Sequence, residues 1–323
     1  MMYVQAIGGL LVLLLGGDFL VRGAVAVARR HNVSKLTIGL TVVAFATSAP
    51  ELVVGIGAAL EHVPRLAIGN VVGSNIANVL LVLGLPALIR PIACTTSGIR
   101  QDTVLMVLAS VIFIGLCLHG ELVLWEGVML IALLAGFLPY WVRRPTASAQ
   151  EESLVEDFDA VSAMPRGGVM PFFLVALGFV ALVIGAHYLI AGSIGIARSF
   201  HISEAVIGLT LVAVGTSLPE LATSLSAALH RHADVAIGNV IGSNLFNILG
   251  VMGATAVVHD VPVPPGILGF DLWIMLAVAV LLGLFAFSRR AIGRLAGIGF
   301  LLAYAAYIMA VFDGISVLTD GAI

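Results

Sequence analysis

Charge is scarce in this sequence. Only 10% of its 323 residues are Asp, Glu, Lys or Arg, while 60% are hydrophobic. A soluble domain of this length needs far more charge to cover its surface, so the apolar excess is expected to face lipid. No polar stretch is long enough to enclose a core of its own, which argues against a separate soluble domain. The net charge of −3 carries no signal for nucleic acid, and none is expected as a partner. Cysteine is nearly absent. Cys94 and Cys117 have neither CxxC nor metal-ligand spacing, which excludes a disulfide framework and leaves both as small packing residues. The N-terminus has no basic start and no A-x-A cleavage site before Arg22, so the first apolar run reads as a retained span. Nor is there a nucleophile–base set, a P-loop or a cofactor fingerprint, so neither enzyme activity nor a cofactor is expected.

What remains is a series of apolar runs of helix length. Charged or Pro/Gly punctuation divides them into ten spans, over residues 4–28, 36–60, 66–89, 102–118, 122–142, 169–197, 205–229, 235–258, 267–287 and 292–313. The runs are continuously apolar, unlike the alternating strands of a membrane barrel, so the expected class is an all-α polytopic membrane protein. With the N-terminus outside, Arg29, Arg30, Lys35, Arg90, Arg100, Arg143, Arg144, Arg166, Arg231, Arg289, Arg290 and Arg294 fall on the cytoplasmic side. Only Arg65 and Arg198 fall outside, and ten spans return the C-terminus to the outside as well. Residues 143–168 form the one linker, with an acidic cluster of Glu151, Glu152, Glu156, Asp157 and Asp159 that reads as solvated and is too short to fold alone.

The sequence also repeats itself. Residues 39–84 and 208–253 align without a gap at an offset of 169, with about 25 of 46 positions identical. Each copy covers the second and third spans of a five-span half. Five is odd, so the second half (169–323) is expected to enter the membrane upside down relative to the first (1–142), an inverted-topology repeat of the kind that builds one midplane site between two halves.

Within the repeats, polar residues recur. Glu51 and Glu220 are equivalent and lie inside apolar spans. A carboxylate there costs at least ~2.5–3.5 kcal/mol and must face a polar cavity with a partner. No Lys or Arg stands nearby in either span, so a bound cation is the natural partner. Thr47 and Ser48 recur as Thr216 and Ser217, and Thr47 is one helical turn from Glu51, which predicts that their oxygens converge on one face. Pro50 and Pro219 remove a backbone donor, freeing the carbonyls of Ala46 and Gly215 and kinking each helix. The second motif, GNVVGSNIAN and GNVIGSNLFN, supplies Ser74 and Asn78 with Ser243 and Asn247 as candidate ligands. Asn70, Asn75, Asn239 and Asn244 are the weaker candidates, with interhelical hydrogen bonding as their alternative role. Its glycines Gly69, Gly73, Gly238 and Gly242 permit close helix approach. An all-oxygen ligand set suits Ca²⁺ and Na⁺ rather than zinc, copper or iron, and two carboxylates neutralise one Ca²⁺.

The duplicated TSxPE and GNxxGSN motifs resemble the two α-repeats of the sodium/calcium exchanger family, within the cation/Ca²⁺ antiporter superfamily, and the layout is like that of its compact prokaryotic members. The resemblance implies that Glu51 and Glu220 are the central metal ligands, assisted by Thr47, Ser48, Thr216 and Ser217. It places ligand carbonyls at Ala44 and Ala213, two residues before those the prolines free, and the family positions are preferred because helix distortion extends beyond a proline. Ser74, Asn78, Ser243 and Asn247 would complete flanking sites. Some relatives carry Asp at the positions of Asn78 or Asn247, so this pocket has two formal charges rather than three, which weakens any inference of K⁺ cotransport. Proton-coupled relatives carry Glu where this chain has Gly73 and Gly242, which favours Na⁺ over H⁺ coupling. The expectation is a monomeric antiporter in a bacterial or archaeal inner membrane, exchanging Na⁺ for Ca²⁺ by alternating access. A Ca²⁺/H⁺ antiporter using the same glutamates is the alternative, and a cation channel stands behind both.

Other polar residues have local explanations. Asp18 and Arg22 are spaced for an intrahelical pair. His187, at the equivalent of position 18, reads as a satisfied buried histidine, and His230 and His232 as solvated turn residues. Asp102 and Asp271 precede apolar runs as helix N-caps do.

Overall fold

The computed structural model describes residues 2–31, 33–62, 64–142, 169–199 and 213–320. The long helices are α1 (Met2–Arg30), α4 (Arg65–Ile89), α5 (Ser97–Cys117), α6 (Leu124–Val142), α7 (Met170–Ser199), α10 (Ala233–Val258), α11 (Ile267–Ser288) and α12 (Arg294–Asp320). Each is long and apolar enough to cross a membrane. A ninth span is bent: α2 (Lys35–Thr47) and α3 (Ala49–Leu60) meet at 45°. Of the expected seventh span, 205–229, the described part is α8 (Ala213–Thr216) and α9 (Leu218–Leu229), broken in the same place. The expected linker, 143–168, lies outside the described residues.

Proline sets both breaks. Ser48 and Ser217 leave the helix with nearly identical backbones, φ −86° ψ 6° and φ −86° ψ 3°, and Pro50 and Pro219 sit in the first turn of the helices that follow. A proline at a helix start costs nothing, because the first-turn donors have no helical acceptor. The same residue that ends one segment therefore opens the next.

Two seams hold the helices together. The first is antiparallel, between α1 and α7. A Cβ on Gly9, Gly16 or Gly23 would meet α7 backbone at 2.3–2.7 Å, and one on Gly178, Gly185 or Gly192 would meet α1 backbone at 2.4–2.5 Å. Glycine every seventh residue on both helices thus brings the two backbones into contact over the length of the pair. The second seam crosses the repeats. A Cβ on Gly238 or Gly242 of α10 would meet the carbonyls of Leu36 and Leu40 of α2 at 2.6 and 2.5 Å, the close approach their spacing predicts. Gly69 and Gly73 of α4 make no such approach among the described residues. The last helix of each half packs on the other half: Gly127 of α6 on Gly253 of α10, and Gly297 of α12 on Gly84 of α4. Two short strands, β1 (Glu121–Leu122) and β2 (Val261–Pro262), pair antiparallel at the loop ends. Outward faces are apolar and exposed, as at Leu302 (66%) and Leu284 (63%), which is the surface a helix presents to lipid rather than to water.

Several sequence expectations need correction. Asp102 does not cap a helix: α5 already starts at Ser97, and Asp102 is fully buried, accepting from Trp141 Nε1 at 3.1 Å. Asp271 closes a π-helical turn, Ile267–Asp271, and accepts from Tyr307 Oη at 3.0 Å. His187 is exposed rather than buried. Asp18 and Arg22 do pair, at 2.8 Å. Their partner His230 is no solvated turn residue, because its ring reaches Asp18 Oδ1 and Arg22 Nη2, each at 3.3 Å. His232, also expected in water, is 2% exposed.

Candidate cation site

Each half presents a broken helix at the centre of the bundle. The C-terminal carbonyls of α2 and α8 and the N-terminal donors of α3 and α9 meet there, so negative and positive helix ends share one pocket. Glu51 and Glu220 stand in the first turns of α3 and α9, where the positive helix end favours a carboxylate. Both are 0% exposed, and they are close enough to repel each other. Two buried, mutually repelling acids need compensation, and among the described residues no Lys, Arg or His is paired with either.

The hydroxyls around each carboxylate come from both halves, those of the TSxPE motif from the opposite one and the serine of the GNxxGSN motif from its own. Ser48 Oγ donates to Glu220 Oε1 at 3.0 Å, and Thr47 and Ser243 flank the same carboxylate. Thr216 and Ser74 flank Glu51. Thr47 and Glu51 stand on either side of the bend at Ser48, and the carboxylate that Thr47 faces is Glu220. For Thr47, Ser48 and Thr216 the pairing is across the repeats. Thr47 Oγ1 instead donates to Asn239 Oδ1 at 3.1 Å and touches Ala44 O at 3.3 Å, a carbonyl that also accepts from the Ser48 amide at 2.9 Å. Thr216 Oγ1 makes the equivalent bond to Asn70 Oδ1 at 3.2 Å. Ala213 supplies the corresponding backbone position at the start of α8.

The asparagines divide into two roles that spacing did not separate. Asn75 Nδ2 donates to the backbone carbonyl of Asn244, and Asn244 Nδ2 to that of Asn75, both at 3.3 Å. A backbone carbonyl can only accept, so these bonds fix which end of each amide is nitrogen. Their Oδ1 atoms then face outward and accept from Asn78 Nδ2 (3.0 Å, to Asn244) and Asn247 Nδ2 (3.1 Å, to Asn75). With both nitrogens engaged in this way, Asn78 and Asn247 each hold a buried Oδ1 without a partner. Both residues lie in π-helical turns, Asn78–Val82 and Phe246–Val251, the irregularity that recurs where a helix re-aims a functional side chain. Asn75 and Asn244 hold Asn78 and Asn247 in place, and the spacing in the sequence carries no signal for it, because all six amides share one motif.

Among the described residues, seven buried oxygens of this cluster lack a hydrogen-bond partner: both of Glu51, Glu220 Oε2, Ser74 Oγ, Ser217 Oγ, Asn78 Oδ1 and Asn247 Oδ1. Buried oxygens left without donors cost free energy unless something positive meets them. Carboxylate, hydroxyl and amide oxygens are the donor set of a hard cation.

Comparison with known proteins finds relatives along nearly the whole chain. The family model described as sodium/calcium exchanger protein matches residues 1–142 and 170–312. The putative antiporter CaxA of Alkalimonas amylolytica is 34% identical over 308 residues, covering 94% of this chain and 97% of the relative. The sodium/calcium exchanger MaX1 of Methanosarcina acetivorans is 32% identical over 340 residues, covering 94% and 96%. A solved structure of the sodium-calcium exchanger NCX_Mj, soaked with Na⁺ and Ca²⁺, superposes with a TM-score of 0.82 at 33% identity, covering 95% of this chain and 97% of that one.

Proposed function

The chain belongs to the sodium/calcium exchanger protein family, and from that premise we propose that it exchanges Na⁺ for Ca²⁺ across the membrane by alternating access. The observation that carries this reading is the set of seven partnerless oxygens around two buried carboxylates. Two carboxylates balance one Ca²⁺, and Na⁺, of similar size and half the charge, competes for the same oxygens. Glu51 and Glu220 are the central ligands, with Thr47, Ser48, Thr216, Ser217 and the carbonyls of Ala44 and Ala213 beside them. Ser74, Asn78, Ser243 and Asn247 line the flanks. Gly73 and Gly242 add no acid to the pocket, which supports Na⁺ rather than H⁺ as the coupling ion.

The architecture proposed for this cycle is ten helices in two inverted-topology halves, 1–142 and 169–323, joined by the linker. The reciprocal bonds between equivalent asparagines support it, since each half makes toward the other the contact it receives. An ion-free pocket holds two uncompensated buried charges, which disfavours passage through an occluded state. Ion binding removes that penalty, and the glycine-seamed pair α1 and α7 then shifts to change access. The protein is an integral membrane protein. The arginine distribution supports a prokaryotic inner membrane with both termini outside, and one chain suffices for the site.

The test is ⁴⁵Ca²⁺ uptake into proteoliposomes loaded with Na⁺, beside choline-loaded and pH-jump controls. Uptake that needs internal Na⁺ and is lost in Glu220→Gln is the expected result. Uptake driven only by a pH gradient would move the assignment to Ca²⁺/H⁺ exchange, and flux without any countertransported ion would indicate a channel.

A further inference from the structure

The two halves of the site are not held equally. In the second half, Asn239 is fully buried and its Nδ2 lies 3.1 Å from Thr223 Oγ1, 3.3 Å from Ser224 Oγ and 3.5 Å from the backbone carbonyl of Glu220. Thr223 in turn donates its own proton to the carbonyls of Pro219 and Glu220, at 2.8 and 2.9 Å. Since those carbonyls can only accept, the bonds run in one sense: Thr47 to Asn239, Asn239 to Thr223, Thr223 to the first turn of α9. Asn239 Oδ1, at 3.1 Å, thereby draws the proton of Thr47 from its other acceptors, the Ala44 carbonyl at 3.3 Å and the Glu220 carboxylate, and turns the lone pairs of the hydroxyl toward a cation.

The first half lacks this arrangement. Positions 54 and 55, equivalent to Thr223 and Ser224 at the offset of 169, are Val54 and Gly55. Thr216 still donates to Asn70 Oδ1 at 3.2 Å, but Asn70 Nδ2 is buried without a hydrogen-bond partner among the described residues. A reason for the difference lies in packing. A Cβ on Gly55 would meet Thr255 Oγ1 and Val251 Cγ1, each at 2.9 Å, so α3 lies too close to α10 for a serine there.

We propose that Thr223 and Ser224 are positioning residues for the cation site, clamping Asn239 so that the Thr47 hydroxyl is preset as an ion ligand, while the Thr216 side lacks that clamp and adapts on binding. An Asn239 amide that flips would turn its nitrogen on Thr47. Thr47 would then accept from it and aim its proton at the cation, converting a ligand into an obstacle. A preset ligand spends less of the binding energy on ordering, so the clamp shows in affinity rather than in turnover.

The inference rests on the exchange activity proposed above, and the experiment separates the two. Na⁺-dependent ⁴⁵Ca²⁺ uptake is measured against Ca²⁺ concentration for wild type, Thr223→Val/Ser224→Ala, Thr223→Ser and Val54→Thr. The double variant is expected to raise the KM for Ca²⁺ about three- to tenfold, the worth of one or two buried hydrogen bonds, with Vmax within about twofold. Thr223→Ser, which keeps the hydroxyl, restores the KM. Val54→Thr, which supplies the missing acceptor for Asn70 without adding bulk, lowers it. An unchanged KM in the double variant beside active wild type overturns the clamp alone, as does a Thr223→Ser variant as impaired as Thr223→Val. Should the double variant not fold, a KM unmoved or raised by Val54→Thr overturns it independently. Wild type without Na⁺-dependent uptake overturns the proposed function, and the inference with it.

Discussion

Replacing Gly185 by alanine tests the seam between α1 and α7. The added Cβ would lie 2.5 Å from Leu13 N, 2.8 Å from Leu13 Cα and 2.9 Å from Gly9 O, all backbone atoms of α1. No side chain can swing aside. Reaching an ordinary contact of 3.4 Å requires about 0.9 Å of separation, because 3.4 minus 2.5 is 0.9. Helices joined this closely along their length separate as units, so the neighbouring contacts at Gly178 and Gly192 loosen too. Overpacking of this kind typically costs 1–3 kcal/mol. Gly136, in α6, has nothing within 4 Å of the same added atom among the described residues. There alanine is expected to stabilise the helix by roughly 0.5–1 kcal/mol, through reduced backbone freedom in the unfolded chain. The same chemical change is thus predicted to have opposite signs at two glycines. Thermal unfolding of the purified variants in detergent reads the stability difference, and Na⁺-dependent Ca²⁺ uptake shows whether the pair still moves. Gly185→Ala melting at or above the temperature of Gly136→Ala would refute the packing argument.

Two further outcomes follow from the site and its surroundings. Asn75→Ala and Asn244→Ala should weaken Ca²⁺ binding by similar factors, roughly three- to tenfold each for the buried bonds removed, although each amide oxygen is engaged by the asparagine it holds. Calorimetric titration of Ca²⁺ checks this, and a strongly unequal pair would count against the reciprocal network. His232, in the turn before α10, is held neutral by burial and by the charges of Lys35, His230 and Arg29, with its pKa lowered to about 3. The unfolded chain takes up that proton near pH 6.5 and the folded one does not. Stability should therefore fall on acidification below about pH 6.5, by up to about 1.4 kcal/mol per pH unit. Melting curves at pH 7 and pH 5 measure the slope, and His232→Asn should flatten it; an unchanged slope in that variant would contradict the assignment.

The sequence alone determined the helices, the repeat and the two buried acids of the candidate site. Long apolar runs must form backbone-satisfied helices in lipid, whatever their neighbours, so the described spans were legible within a few residues. A carboxylate inside such a run is costly wherever it points, so Glu51 and Glu220 stood out before any contact was known. Pro50 and Pro219 announced the breaks, because a missing donor acts locally. What the sequence left open was direction. Spacing along one helix suggested that Thr47 serves Glu51, but past the bend at Ser48 it faces the other repeat, and Thr47, Ser48 and Thr216 flank the opposite carboxylate. The same limit hid the division among the asparagines, since an amide's role depends on which end its partner fixes. Asp102 read as a cap because its burial against Trp141 involves a residue 39 positions away. Tertiary structure alone decided these matters, because hydrogen-bond direction and charge pairing depend on distances between segments, and helical periodicity describes only one segment at a time.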